Sequence, residues 1–287
     1  MRRAEELLLL LCHPLGQDVR PLSAWEYRQL AASFSAAPAD GELTASALTA
    51  MGFSAAFSAR VVALSERREV LERYLSKPDV TVLTRLSAQF PAALRRLGDA
   101  CPTALFLRGD VSLLQTPCLA LTGSRRLREE NRRFAERIGT LAAREGRTLV
   151  SGNAVGADQA GQNSCLLGGG RVICFLPDAL TEHRARENVL LCSDEGWDAP
   201  FTNARALRRN LYIYALGGLA FVAQCTEGHG GSWRGAAESL KRGLSEVFIY
   251  NDGSADAAAL VRLGALPLTA VPLRLDELPA RPLSIFD

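Results

Sequence analysis

Three glycine-containing turns, each placed after an apolar run, carry the residue types that bind phosphate. Their key residues are Gly123, Ser124 and Arg125 in the first turn, Ser151 and Gly152 in the second, and Gly230, Gly231 and Ser232 in the third. Each turn leads into a predicted helix, so backbone N–H groups and hydroxyls can face one anion at the helix N-termini. The carboxyl ends of parallel strands lie at one edge of a sheet, so the three turns can converge on a single crevice.

Arginines supply the positive charge that such a crevice needs. On a helix, Arg205, Arg208 and Arg209 stand at i, i+3 and i+4 and share one face, with Asn210 beside them. That helix starts at the same end of the sheet as the turns, so we predict that its basic face binds phosphate. A solvated basic face is the alternative. The turns lack the dinucleotide pattern G-x-G-x-x-G, so no cofactor is predicted.

The elements that must hold these turns follow from hydrophobic patterning after residue 118. Strands are predicted at 118–122, 148–151, 172–176, 189–192, 219–223 and 247–250, and helices at 127–144, 157–167, 203–216, 233–242 and 255–263. Continuous apolar strands that alternate with amphipathic helices indicate an α/β fold with a doubly wound, mainly parallel sheet. Two further short strands are predicted at 80–83 and 104–108.

The first 76 residues contain only helical patterns. Helices are predicted at 4–11, 23–33, 44–50, 54–64 and 67–75, and Ser23 with Glu26 forms a capping-box pattern. Lys77-Pro78-Asp79 then marks a boundary. We therefore predict a helical accessory domain at 1–76, the α/β domain at 77–268 and a proline-containing tail at 269–287. Direct DNA contact by the helical domain is the alternative to a purely structural role.

Composition limits the class of protein. The 287 residues are 48% hydrophobic and 22% charged, which is typical of a soluble globular chain with a real core. The formal net charge of +2 does not make the protein basic overall. Seven cysteines without C-x-x-C spacing fit a reducing cytoplasm, and three histidines without metal spacing argue against zinc. The run 7–11 is too short for a signal peptide, and no run has transmembrane length.

Four motifs in order resemble a known family. Residues 122–125 are similar to its V-G-S-R, 151–158 to S-G-x-A-x-G-I-D, 208–210 to R-R-N, and 230–232 to its glycine-serine turn. On these motifs the chain resembles the DNA-processing protein A (DprA/Smf) family of bacterial single-stranded-DNA-binding proteins, over about residues 77–267. It departs from the family pattern at Ala157, Gln162 and Leu211, where isoleucine, histidine and arginine are usual.

The resemblance implies an extended Rossmann-like domain preceded by a small SAM-like helical domain. It implies non-enzymatic binding of single-stranded DNA in a basic pocket during DNA processing and natural transformation, in the cytoplasm. It also implies transfer of that DNA to the recombinase RecA, and a homodimer formed through the Rossmann domain. The C-terminal winged helix of many family members is expected to be missing. We further expect Gly123→Val to weaken DNA binding more than it lowers stability.

Two other functions stay open at this point. The first is an enzyme or sensor of a nucleotide derivative, related to phosphoribohydrolases with the pattern P-G-G-x-G-T-x-x-E. Here His229 replaces the proline and the threonine is lost, although Glu238 is a nearby carboxylate. The second is a degenerate adaptor that keeps the fold and has lost DNA binding.

Overall fold

The computed structural model describes residues 1–16, 19–35 and 43–279. The chain divides into two compact units. The first unit comprises residues 1–107 and 193–199, and the second comprises residues 108–192 and 200–287. The predicted domain limits at 76 and 268 stay predictions. Residues 280–287 of the predicted tail lie outside the described residues.

Short capped helices open the first unit. They are α1 (Arg3–Cys12), α2 (Ala24–Ser35), α3 (Ala45–Ala50), α4 (Ala55–Ser65) and α5 (Arg68–Leu75). The predicted capping box is present: Ser23 N–H donates to Glu26 Oε2 at 2.7 Å, and Glu26 N–H donates to Ser23 Oγ at 3.2 Å. Leu8, Leu48 and Val61 lie at the centre of the shared core. All five predicted helices are therefore confirmed.

The rest of the first unit contains a short antiparallel pair of strands and the segments that connect them. Strand β1 (Thr81–Thr84) pairs with β2 (Ala104–Arg108), and α6 (Ala92–Arg95) lies between them. Residues 193–199 join this unit, where Tyr74 donates its hydroxyl to Asp198 Oδ1 at 2.5 Å. The short helix α6 follows Pro91, a residue well suited to a helix start, but the sequence pattern did not predict it.

A parallel sheet forms the centre of the second unit. Its strands are β3 (Cys118–Thr122), β4 (Thr148–Ser151), β5 (Arg171–Phe175), β6 (Val189–Ser193), β7 (Leu219–Val222), β8 (Glu246–Tyr250) and β9 (Leu266–Leu268). They pair in the order β6-β5-β4-β3-β7-β8-β9. From β3 the chain adds β4, β5 and β6 towards one edge of the sheet, and from β7 it adds β8 and β9 towards the other edge. The switch point of the sheet, where a crevice opens, therefore lies between β3 and β7.

Helices connect these parallel strands and pack against the sheet. They are α7 (Glu129–Arg144), α8 (Ala157–Leu167), α9 (Asn203–Gly217), α10 (Gly230–Arg242) and α11 (Ala255–Arg262). Helix α7 packs on α8, and α9 packs on α10. The predicted doubly wound α/β fold is confirmed. None of the helices in the described parts of the chain is long and apolar enough to cross a membrane.

Candidate nucleic-acid interface

The glycine-containing turns meet at the switch point and enclose a cavity of about 720 Å³, which we call the main cavity. The turn after β3, the loop before α8, one side of α9 and the first turns of α10 form its walls. The lining residues are 122–126, 154, 158, 203, 206, 207, 209, 210, 225, 226, 229–232 and 234. The three turns are therefore brought together. The predicted residues of the first and third turns all line the cavity, whereas the second turn contributes only Ala154 and Asp158.

Gly123 in the first turn is needed for packing. A Cβ atom at this position would lie 2.5 Å from the Cβ of Ala157, the first residue of α8, and 3.2 Å from that of Ala223. Real Cβ atoms do not approach this closely, so any side chain at position 123 would displace α8 from β3. We therefore revise our expectation for Gly123→Val: it lowers stability together with binding. Gly123, Ser124 and Arg125 all line the main cavity.

The second turn is held from inside by a carboxylate. Asp158 Oδ2 accepts hydrogen bonds from the N–H groups of Gly152 at 3.1 Å and Ala154 at 3.2 Å. Burial raises the pKa of Asp158, whereas the charge of Arg209 and these two N–H groups act in the opposite direction. Asp158 therefore orders the loop.

Ser151 is placed away from the cavity. Its side chain is fully buried, and its hydroxyl accepts a hydrogen bond from the Nε2 of Gln162 at 2.5 Å. Gln162 is the residue that stands in place of the family's usual histidine, and its amide thus fixes the end of β4. Direct contact of Ser151 with phosphate stays a prediction. The buried, hydrogen-bonded hydroxyl argues against it.

Arg209 lies beneath the second turn and reaches both the turn and the sheet. It is only 6% exposed, and its Nη1 donates to the carbonyl oxygen of Phe175 at 2.9 Å. A Cβ at position 152 would lie 1.3 Å from this Nη1, so Gly152 leaves the space that the guanidinium fills. The Nε of Arg209 has no hydrogen-bond partner among the described residues, although the side chain lines the cavity. This Nε is itself buried, so Arg209 acts mainly from within the wall of the cavity, through its charge and its support of the second turn.

The other two arginines of α9 do not line the main cavity. Arg205 is 3% exposed and donates through Nη1 to the carbonyl oxygen of Pro200, just before its own helix. Arg208 is half-buried. Helical spacing correctly places Arg205 and Arg209 on one side of α9, but it does not give their depth. The predicted basic face is thus largely buried.

The third turn belongs to a helix. Helix α10 begins at Gly230, whereas the sequence pattern placed its start at Trp233. No side chain caps this end and no acidic residue lies in its first turn, so its N–H groups are available to an anion. Asn210 positions the turn, because its Nδ2 donates to the carbonyl oxygen of Gly231 at 3.0 Å.

Exposed arginines supply most of the free charge of the main cavity. Arg125, Arg126 and Arg234 all line it, and none forms an ion pair with the described residues. Arg128 lies close in sequence but pairs with Asp252 instead. The sequence motifs did not single out Arg234. Its position four residues after Gly230, on the same face of α10, is the signal that identifies it.

The fold and this cavity define a Rossmann-type protein with a cavity lined by exposed arginines at the switch point of its sheet. The family model of DNA recombination-mediator protein A matches residues 81–260. The chain therefore belongs to that family. No curated protein is a significant match in sequence.

Two solved structures resemble this chain. DNA processing protein A from Streptococcus pneumoniae is 20% identical, with 93% of this chain and 94% of that chain covered and a TM-score of 0.70. The structure of DNA processing protein A from Helicobacter pylori addresses that protein's single-stranded DNA binding mode. It is 24% identical, with 66% and 90% covered and a TM-score of 0.56. Both likenesses support the fold.

Proposed function

We propose that this protein binds single-stranded DNA without chemical turnover, through phosphates held in the main cavity. The observation that carries the proposal is the set of exposed arginines, Arg125, Arg126 and Arg234, around the uncapped start of α10. Unpaired guanidiniums and free N–H groups bind phosphate oxygens in the same way whatever the base sequence. Asp158 is the one carboxylate among the described residues that line this cavity, so the local charge stays positive.

Family membership supports DNA as the polyanion. The related protein from Helicobacter pylori binds single-stranded DNA, and we extend that ligand to this chain. The arginines and N–H groups of the main cavity come from separate elements, the β3–α7 turn, α9 and α10, so several phosphates of one strand can be contacted together. The proposal includes the cytoplasm as the location, a homodimer as the assembled form and RecA as the receiving partner, all three taken from the family.

The position of the carboxylates supports binding without catalysis. Glu238, the acid that a phosphoribohydrolase-like reaction would need, forms an ion pair with Arg242 at 2.5 Å and does not line the main cavity. Asp158 is engaged by two N–H groups and lies beside the charge of Arg209. A general acid or base needs reach to its substrate, which Glu238 lacks, and Asp158, although it lines the cavity, uses Oδ2 to hold the second turn.

Fluorescence anisotropy with a labelled oligonucleotide, single-stranded or duplex, tests the proposal at two salt concentrations. We expect single-strand binding whose logarithmic affinity falls with a slope of about −0.7 per phosphate contacted. Arg125→Ala weakens it. Arg137→Ala is the matched control, because Arg137 is an exposed arginine of α7 that lies outside the cavity. No single-strand binding at low salt, or equal losses in both variants, would contradict the proposal.

A further inference from the structure

His229 lies on the third turn and lines the main cavity, but it plays no part in the proposed function. It is exposed and directly precedes Gly230, the first residue of α10. Its side chain does not cap that helix. The imidazole ring therefore stands beside the free N–H groups of α10 and is open to a ligand in the same cavity.

One hydrogen bond fixes which ring nitrogen of His229 carries the hydrogen. Nδ1 lies 2.8 Å from the carbonyl oxygen of Glu227. A carbonyl oxygen only accepts hydrogen bonds, so Nδ1 is the donor. In the neutral ring Nε2 is then unprotonated, and it forms no hydrogen bond with the described residues. A second proton at Nε2 therefore makes the ring a cation without breaking the existing hydrogen bond.

The loop that carries His229 is held on both sides of the ring. The N–H of His229 donates to the carbonyl oxygen of Thr226 at 3.0 Å. The N–H of Glu227 donates to Oδ1 of Asp256, in the first turn of α11, at 2.9 Å. The carboxylate of Glu227 lies 3.9 Å from the guanidinium of Arg262. Because the backbone of the loop is fixed in this way, a charge on the ring would lie at a defined place at the edge of the cavity.

The charged groups that line the cavity together with His229 are mainly cations. They are Arg125 and Arg126 from the turn after β3, Asp158 from α8, Arg209 from α9 and Arg234 from α10. The thiol of Cys225 also lines the cavity, but burial raises its pKa to about 12 and keeps it neutral. An anion bound among the exposed arginines lies near the ring as well. Its negative charge favours the protonated form of an adjacent imidazole.

We propose that His229 is a proton-linked phosphate ligand: when a phosphate of single-stranded DNA binds in the main cavity, Nε2 takes up a proton from the solvent and donates it in a hydrogen bond to a phosphate oxygen. The inference rests on the proposed function. No covalent bond of the strand changes, and the ring gains one positive charge. Histidine is the side chain that ordinarily changes charge between about pH 5 and pH 8. Since binding and protonation favour each other reciprocally, affinity for the strand increases as the pH falls through this range.

Anisotropy titrations at constant ionic strength, at about pH 6 and about pH 8, test the inference. The strand is a labelled thymidine oligonucleotide, because neither thymine nor a phosphodiester changes charge in this range. The proteins are the full wild-type chain, His229→Asn and His183→Gln. Asparagine keeps a side-chain N–H for the carbonyl oxygen of Glu227 but has no nitrogen that takes up a proton. His183 is the matched control, because it is half-buried, pairs with Asp178 at 3.0 Å and does not line the main cavity.

We expect the wild-type protein to bind the strand about 5-fold more tightly at about pH 6 than at about pH 8. His183→Gln keeps this difference. His229→Asn binds like wild type at about pH 8 and gains less than about 2-fold at about pH 6. Calorimetric titrations in two buffers of different ionisation enthalpy count the protons directly. At about pH 7 the wild-type protein should take up about half a proton for each strand bound, and His229→Asn should take up none.

Equal wild-type affinity at the two pH values, without proton uptake, would overturn the inference and leave the proposed function intact. A pH dependence that persists in His229→Asn would also overturn it, because another group, such as Asp158, would then take up the proton. Loss of the pH dependence in His183→Gln would assign the proton to His183 instead, with the same consequence. If the wild-type protein binds the strand at neither pH, the proposed function falls and the inference falls with it.

Discussion

The arginines near the main cavity serve two different purposes. Arg209 is buried, fills the space left by Gly152 and lies beside the charge of Asp158. Burial lowers its pKa and the charge of Asp158 raises it, so its charge is largely compensated inside the protein. Arg125, Arg126 and Arg234 are exposed and can exchange their counterions for phosphate. Most of the salt-dependent affinity should therefore come from the exposed set.

Arg234→Ala tests this division. Loss of one phosphate contact lowers single-strand affinity about 3-fold at low salt and makes the slope of log affinity against log salt less steep by about 0.7. Arg208→Ala is the matched control, because Arg208 lies on α9 but outside the cavity. Titrations at three salt concentrations give both slopes. Equal slopes for the two variants would show that Arg234 does not contact phosphate.

At the scale of elements, hydrophobic patterning predicted nearly every helix and core strand, because the strands are continuous apolar runs and the helices alternate apolar and polar faces. Strand β9 was missed, since Pro267 within it is typical of an edge strand and only three residues pair. The start of α10 was placed late because Gly230 and Gly231 have low helix propensity.

The site was harder to predict from sequence than the fold. The motifs located the turns at the switch point, and chain order alone places them at one edge of a parallel sheet. Burial was not predictable in the same way. Arg205 and Arg209 have the spacing of an exposed basic face, yet tertiary packing buries both. The segments after β5 and before α9 carry no regular pattern, so their positions near the second turn could not be predicted.

Close backbone contact between α7 and α8 fixes the helix layer next to the second turn. A Cβ at Gly139 of α7 would lie 2.0 Å from the carbonyl oxygen of Gly161 in α8. A Cβ at Gly161 would in turn lie 2.1 Å from Leu121 of β3. Glycine at both positions therefore lets α7, α8 and β3 pack as tight layers, and α8 starts at the loop that Asp158 orders.

Gly139→Ala separates packing from helix propensity. Alanine favours an exposed helix by about 1 kcal/mol over glycine, whereas overpacking costs about 1–3 kcal/mol or more. The contact is with backbone, which cannot move aside as a side chain can, so we expect a net loss of about 1–2 kcal/mol. Thermal unfolding followed by circular dichroism should show a lower Tm. Thr140→Ala, at the adjacent exposed position, should keep or raise it. A rise in both variants would refute the close packing.

Across the whole molecule, the two units depend on different interactions. The second unit contains the main cavity and the exposed arginines that line it. The first unit is joined internally by carboxylates that link its helices to neighbouring segments. Glu5 of α1 accepts hydrogen bonds from Ser87 Oγ at 2.6 Å and from Thr84 Oγ1 at 3.3 Å, so it ties α1 to the end of β1. Arg60 of α4 forms an ion pair with Glu26 of α2.

These contacts make the first unit sensitive to acid. The hydrogen bonds from Ser87 and from the Arg2 N–H lower the pKa of Glu5 to about 2. The N–H of Ser23 and the side chain of Arg60 lower that of Glu26 to about 2 as well. In the unfolded chain both carboxyls regain a pKa of about 4.3. Between about pH 2 and pH 4.3 the folded state therefore binds fewer protons than the unfolded state. Its free energy of unfolding falls as the pH drops from about 4.5 towards 2.

Glu5→Gln should flatten part of this acid dependence. The amide cannot be deprotonated, so the variant is less stable than wild type at neutral pH by roughly 2 kcal/mol, and the difference shrinks as the pH falls towards 2. Denaturant unfolding at several pH values measures both curves. Glu6→Gln is the control, because the side chain of the neighbouring Glu6 forms no hydrogen bond or ion pair with the described residues. Its curve should run parallel to that of wild type. If the Glu5→Gln curve is also parallel, then the hydrogen bonds of Glu5 to Ser87 and Thr84 do not control the acid stability of the first unit.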